Sequence, residues 1–298
     1  MEKYGYNRLK NEESLAYKDK KLKVKSNLNR AYQKMLKIMN INKYQYLLFF
    51  LFILFFLVFT SCKSNKNTSN NTNEFYSIFN GTNLEGWNGD STYWSVKEGV
   101  LVGEVTPETI LKRNSFIIYE KEQPTNFELK LNYRVSKLGN SGINYRSKKI
   151  ENMPFALKGY QADIDGRKRF TGQNYEEKKR TTLAYIGEKV IIKSMPDSIP
   201  SNNLRKNVKK NCWQTRNVVA SLGEKRALTS SIRDNDWNTM HIIVKDNKML
   251  HYVNGILMSA VTDLDVKNRS DKGYIGVQVH VGPPMKIEYK NIRLKVLN

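Results

Sequence analysis

The stretch "WNTMHIIVKDNKMLHYVNGILMSAV", residues 237–261, decides how this chain folds. It reads as three strands joined at Asp246-Asn247 and Asn254-Gly255. Asn-Gly is a strong hairpin signal, because a two-residue turn of this kind needs positive φ at both central positions. The same grammar holds on either side. "YWSVKEGVLVGE" (93–104) has two strand-like runs about the turn Lys97–Gly99, and "NFELKLNYRVS" (126–136) sets Phe127, Leu129, Leu131, Tyr133 and Val135 on one side. "GYIGVQVHV" (273–281) alternates Ile275, Val277 and Val279 with Gln278 and His280, and "MKIEYKNIRLKVL" (285–297) closes the chain. Period-two alternation between turn signals, with no intervening helical repeats, predicts an all-β sandwich of two antiparallel sheets around one core. Residues 196–232 break the pattern: they are polar, carry Pro196 and Pro200, and read as a partly helical loop insertion over the sandwich.

With 298 residues and 40% hydrophobic content, the chain has ample material for a packed core. Its formal charge of +22 invites a nucleic-acid reading until the distribution is counted. Residues 1–45 hold 12 Lys/Arg against 4 Asp/Glu, and the remaining cations are spread over strands and turns without a tight cluster interleaved with aromatics. A solvated basic surface is the reading adopted, with no nucleic-acid partner. The glycine-rich phosphate loop, the dinucleotide fingerprint and the serine-nucleophile elbow are all missing from the sequence, which sets nucleotide-dependent and serine-hydrolase chemistry aside.

The N-terminal region predicts export. Tyr46–Phe59 is an unbroken apolar run, about 21 Å long as a helix against a hydrocarbon core of about 30 Å, so it reads as the apolar region of a signal peptide. Thr60, Ser61 and Cys62 follow in the manner of a bacterial lipobox, predicting that Cys62 is lipidated and anchors the protein to a membrane. Met39 or Met35 would begin a signal peptide of normal length, making the preceding basic residues an extension. The Asn-rich stretch 62–74 predicts a disordered tether, and its lysines lean the location toward the periplasmic side of a bacterial envelope. With only Cys62 and Cys212 present, no disulfide framework is expected.

Eight segments in order carry a resemblance to a known family: "IFNGTNLEGWN" (78–88), "WSVKEGVLVGE" (94–104), "NFELKLNYRV" (126–135), "GNSGINYRS" (139–147), "GYQADIDG" (159–166), "FTGQNYEE" (170–177), residues 237–259 and "VHVGPPMKIEYKNIRLK" (279–295). From about Phe75 to Leu297 the chain resembles the 3-keto-disaccharide hydrolase domain family. The resemblance implies a concanavalin A-like jelly roll and action on glycosides oxidised at C3. Domains of this shape also serve as sugar-binding modules, so a non-catalytic carbohydrate-binding module is the alternative.

In a jelly roll the free concave face of one sheet forms the sugar groove, and strand parity says which side chains line it. In "SGINYRS", Ile143 and Tyr145 take one side and Asn144 and Arg146 the other; in "GYQADIDG", Gln161, Asp163 and Asp165 oppose Tyr160, Ala162 and Ile164; in the strand at 273–281, Gln278 and His280 face away from the core. Thr171 and Tyr175 lie on a following loop placed to wall the groove, and Tyr145, Tyr175 or Trp213 could stack on sugar rings. "EEKKR" (176–180) reads as a solvated charge run, and His241 and His251 as structural residues.

A ketone at C3 acidifies the C2 hydrogen, so a base can remove it and the C1 substituent can leave by β-elimination. Water addition would make the net change a hydrolysis. His280 is the natural base, its ordinary pKa lying near the working pH. Arg146 or a divalent metal ion would stabilise the enediolate, and Asp163 and Asp165 would orient His280, act as base, or bind that ion through oxygen.

Overall fold

The computed structural model describes residues 20–38 and 74–298. Residues 20–38 form helix α1, exposed along its length, within a unit of its own spanning Met1–Ser69. The apolar run at 46–59, Cys62 and the tether to residue 73 lie outside the described residues. Among the described residues no helix is long and apolar enough to cross a membrane.

The second unit, Asn70–Asn298, is built on two sheets. Numbered in chain order, the strands of the larger sheet run β12 (Arg216–Ser221), β11 (Glu188–Ile192), β15 (Ile256–Asp263), β14 (Lys248–Val253), β13 (Asn238–Lys245), β6 (Phe127–Val135), β17 (Met285–Val296), β4 (Val100–Val105) and β3 (Trp94–Lys97), with β1 (Tyr76–Ser77) also paired to β17. The smaller sheet runs β10 (Thr181–Ala184), β9 (Asn174–Glu177), β8 (Met153–Asp165), β7 (Asn140–Ile150), β16 (Tyr274–Val279), β5 (Ser115–Tyr119) and β2 (Trp87–Asn88). The three strands expected from residues 237–261 are β13, β14 and β15. Asn254 and Gly255 turn between the last two with φ of 49° and 83°, as a primed turn requires.

The structure is the two-sheet sandwich that the alternation predicts and the jelly roll that the resemblance implies, with two departures. One pair is parallel, because β11 joins β15 in parallel register, Glu188 opposite Ser259 through Ile192 opposite Asp263. The insertion at 196–232 contains a short 3₁₀ segment (Ser201–Asn207) and helix α2 (Lys225–Thr229), but between them the chain forms β12, an edge strand of the larger sheet.

One hydrophobic core fills the space between the sheets. From the larger sheet, Phe127, Leu129, Leu131 and Tyr133 of β6 point inward with Met240, Ile242 and Val244 of β13. They meet Ile143 and Tyr145 of β7, Tyr160, Ala162 and Ile164 of β8, and Ile275, Val277 and Val279 of β16. Each fully buried Leu, Ile or Phe of this set stabilises the fold by about 1.5–3 kcal/mol relative to exposure. β6 alternates buried and half-buried residues throughout, as a sheet with one wet face does.

The central strands of the smaller sheet behave differently. Their outward residues are buried as well: Asn144, Gln161, Asp163 and Gln278 are polar and all below 9% exposed. Toward β5 that outer face carries a small apolar cluster of Phe116, Ile118 and Leu157 with Tyr274 packed on it. Toward β9 it is polar, and there a cleft opens.

Candidate functional site

Strand register assembles the polar half of this face. Across β7, β8 and β9, Asn144 pairs with Gln161 and Gln161 with Tyr175. In the neighbouring row, Gly142 pairs with Asp163. Gly142 is required by close approach, because a Cβ there would sit 2.4 Å from Cδ of Gln161, whose side chain lies over it. Gln161 is thereby steered toward Asp163. Its Nε2 donates to Asp163 Oδ1 at 2.6 Å, and Gln173 Nε2 donates to Asp163 Oδ2 at 2.6 Å. Gln278 Nε2 donates weakly to Gln161 Oε1 at 3.5 Å, extending a chain of amides from β16 to the carboxylate.

Asp163 lines a cleft of about 170 Å³ together with Asn140, Gln161, Gln173, Tyr175, Glu177 and His280. Burial pushes its carboxyl up to about 7, even though the two amide donors favour the charged form. A carboxyl poised there can give or take a proton at neutral pH. Glu177 is raised as well, again chiefly by burial, and Asn114 Nδ2 donates to it at 3.4 Å.

His280 follows the end of β16. Its Nδ1 lies 2.6 Å from the Val281 carbonyl, which can only accept, so Nδ1 carries the proton and Nε2 keeps a lone pair. Burial lowers its pKa below the usual histidine value, leaving the ring neutral at pH 7. Asn114 Oδ1 accepts from the Val281 amide at 3.0 Å, so one asparagine ties both His280's neighbour and Glu177 in place.

The structure thus brings together Asp163, Gln161, Tyr175 and His280 in the cleft, with Gln278 bonded behind Gln161. It does not bring Arg146 there. A register shift between Tyr145 and Lys148, with Arg146 at φ 45°, turns that side chain out of the alternation. Its guanidinium instead donates to the Thr125 carbonyl at 2.6 and 2.9 Å and to the Asp246 carbonyl at 2.7 Å, clamping two loops.

Asp165 is also diverted. Its Oδ1 accepts from the Arg167 and Arg169 amides at 2.8 and 3.2 Å, and its Oδ2 pairs with Arg169 at 2.8 Å. Thr171 belongs to the same loop, with Oγ1 accepting from the Asp165 amide at 2.9 Å and donating to the Asp165 carbonyl at 3.0 Å. Asn144 is buried beneath the face, donating to Ser147 Oγ at 3.2 Å. Each oxygen of the Asp163 and Asp165 carboxylates already accepts at least one hydrogen bond from the protein. Among the described residues no group of three or more His, Cys, Asp or Glu is arranged to hold a metal.

Tyr145 and Trp213 are fully buried in the core and offer no ring to a sugar. Behind the cleft, Tyr145 Oη accepts from Asn174 Nδ2 at 3.1 Å and lies 2.9 Å from His251 Nε2; burial takes His251 down to about 4. His241 pairs with Glu128 at 2.8 Å on the larger sheet. Both fit the structural role expected of them.

The run 176–180 is not a solvated charge run. Glu176 and Arg180 are fully buried, with Arg180 pairing to Glu176 at 2.5 Å and to Asp263 at 2.6 Å. Burial opposes both charges, yet the carboxylates of Glu176 and Asp263 keep Arg180 protonated far above its usual range, and Arg180 holds Glu176 below its own. Glu177, next along the strand, faces the cleft. The signal for it was the alternation of Gln173, just before β9, with Tyr175 and Glu177 on that strand, obscured by the lysines that follow.

Residues 74–295 match the family described as 3-keto-alpha-glucoside-1,2-lyase-like domain. Among solved structures, the chain is similar to a provisionally named glycosyl hydrolase from Parabacteroides distasonis ATCC 8503 (18% identity, 76% of this chain and 100% of that chain, TM-score 0.46). It is also similar to the carbohydrate binding module CBM66 from Bacillus subtilis (13% identity, 70% and 95%, TM-score 0.43) and to the beta-glucanase of Bacillus licheniformis (12% identity, 76% and 98%, TM-score 0.39). At these scores the structural likenesses carry no argument below. No curated protein matches the chain.

Proposed function

The chain belongs to the 3-keto-alpha-glucoside-1,2-lyase-like domain family, a carbohydrate-active family, and on that premise we propose that it cleaves 3-keto-glycosides by C2 proton abstraction and β-elimination. The observation that carries the reading is one cleft holding a neutral histidine with an open Nε2 and a buried carboxyl poised at about 7.

His280 Nε2 takes the C2 proton, and the C–H electron pair moves onto the C3 oxygen as an enediolate. When the C3 carbonyl re-forms, the C1–C2 double bond forms, the C1–O bond breaks, and its electron pair departs on the aglycone oxygen. Asp163, whose carboxyl burial pushes up to about 7, gives that oxygen its proton. Water adding across the new double bond turns the elimination into a net hydrolysis. Arg146 has no part in this scheme. Amide groups lining the cleft, such as Asn140 and the second N–H of Gln173, supply donors for the enediolate oxygen. Tyr175 gives the sugar a half-buried aromatic wall.

The test is incubation with a 3-keto-disaccharide carrying deuterium at C2, beside its unoxidised parent. The reading expects aglycone release from the keto form alone, with loss of the label. Cleavage of the parent with the label retained points to direct glycosidase chemistry by Asp163 and Glu177. Sugar binding without product points to a carbohydrate-binding module.

The lipid anchor at Cys62 and a periplasm-facing place in a bacterial envelope complete the proposal. They rest on the apolar run and the Thr-Ser-Cys that follows it. Mass spectrometry of the N-terminal peptide from membranes checks them, and an unmodified Cys62 refutes the anchor.

A further inference from the structure

Beside the cleft lies a larger concavity of about 660 Å³. Eight of its thirteen lining residues are Lys or Arg, and none is Asp or Glu. Three of these cations have carboxylate partners: Lys179 pairs with Glu176, Lys267 with Asp197 and Arg269 with Asp271. Lys148, Lys158, Lys178, Arg205 and Lys206 are exposed and pair with no carboxylate among the described residues. Lys148 and Lys158 are register partners across β7 and β8, and directly opposed like charges weaken a sheet. Five cations without a directly paired carboxylate, of which Lys178 and Arg205 feel only the neighbouring Glu177, repel one another around one hollow, and an anionic ligand relieves that repulsion.

The groove and the cleft touch at two places. Glu177 lines the cleft and Lys178, the next residue, lines the groove. Arg205 of the groove donates to the hydroxyl of Tyr175 in the cleft at 3.4 Å. No Phe, Tyr or Trp lines the groove, so it lacks the stacking platforms of a single-stranded nucleic-acid site. Its concave shape suits a chain that continues out of the cleft better than a flat membrane surface.

Resting on the function proposed above, we infer that the substrate is an acidic oligosaccharide: the oxidised sugar sits in the cleft and carboxylate- or sulfate-bearing sugars lie in the cationic groove. The full chain is titrated calorimetrically with oligogalacturonates, size-matched maltooligosaccharides and phosphatidylglycerol vesicles. The acidic oligosaccharide is expected to bind at least about tenfold tighter than the neutral one, with affinity falling as salt rises. The double variant Lys148→Glu/Lys158→Glu is expected to lose at least about tenfold of that affinity. Lys206→Glu, on the short 3₁₀ segment and outside the sheet, gives the same direction should the double variant fold poorly. Equal affinity for acidic and neutral sugars, unchanged affinity in these variants, or binding to vesicles without binding to oligogalacturonates overturns the inference. Cleavage of a neutral 3-keto-disaccharide, measured separately, reports on the chemistry: acidic binding without cleavage upholds the groove and strikes the function, and cleavage without acidic preference does the reverse.

Discussion

Replacing Asp163 with asparagine keeps the shape of a buried side chain and removes its titration. The native carboxyl moves from 3.8 to about 7. At about 1.36 kcal/mol for each pKa unit, this corresponds to about 4 kcal/mol between the protonated and ionised forms, an order-of-magnitude figure. The sign follows from the raised value. Below pH 3.8 the folded and unfolded chains both hold the proton, and the full stability is present. Between 3.8 and about 7 the unfolded chain releases its proton while the folded chain keeps it, so stability drains away. Above about 7 both are ionised and the loss is complete.

Asparagine has no such dependence, but its amide meets one of two donors. Gln161 and Gln173 both give Nε2 hydrogens to Asp163, so one contact becomes donor against donor, costing about 1–3 kcal/mol at every pH. Asp163→Asn is therefore expected to be the less stable protein near pH 4 and the equal or more stable one near pH 8. The difference between the two should swing by about 4 kcal/mol across that window. Urea unfolding followed by tryptophan fluorescence at unit pH steps measures it, and groups common to both proteins cancel in the subtraction. A difference that stays flat from pH 4 to 8 would refute a raised Asp163 carboxyl, and with it the acid role.

Further expectations follow from the same geometry. His280→Ala is expected to lower kcat by about 10²–10⁴-fold on a 3-keto-glycoside while substrate binding, measured by calorimetry, changes little. The native kcat/KM profile is expected to fall as pH rises past about 7, where Asp163 loses its proton, and to fall on the acid side only below the ordinary histidine value, since burial depresses His280. Arg146→Ala is expected to cost about 2–4 kcal/mol of stability by leaving the Thr125 and Asp246 carbonyls unpaired, with kcat unchanged in the folded protein; a kcat loss without a stability loss would return it to the active site. Arg180→Met is expected to destabilise by about 3–5 kcal/mol, because Glu176 and Asp263 are left as buried charges, and thermal unfolding measures it.

Parts of the site were legible because a strand's side chains obey a period of two. Gln161, Asp163 and Gln278 were placed on the face away from the core by parity alone, and they lie there with Gln161 and Asp163 in the cleft. The same rule failed at Arg146, where an irregular step in β7 reversed the alternation. It failed in effect at Asp165, on the expected face but captured by the loop it begins through two backbone amides and Arg169. Glu176 and Glu177 looked like part of a solvated run because solvent exposure depends on what the fold lays over a strand. Here Asp263 of β15 covers one, and the cleft takes the other.

The sequence by itself determined the class of the fold. Alternation and turn residues are local properties, and enough of them agree to leave two sheets around one core. Tertiary structure decided which polar side chains became a site. Asp163, Gln173, Glu177 and His280 come from β8, the following loop, β9 and the end of β16, and only strand order and register place them around one cleft. Their chemistry was decided there too, since the proton affinity of Asp163 depends on the water it has lost and on the two amides that replaced it.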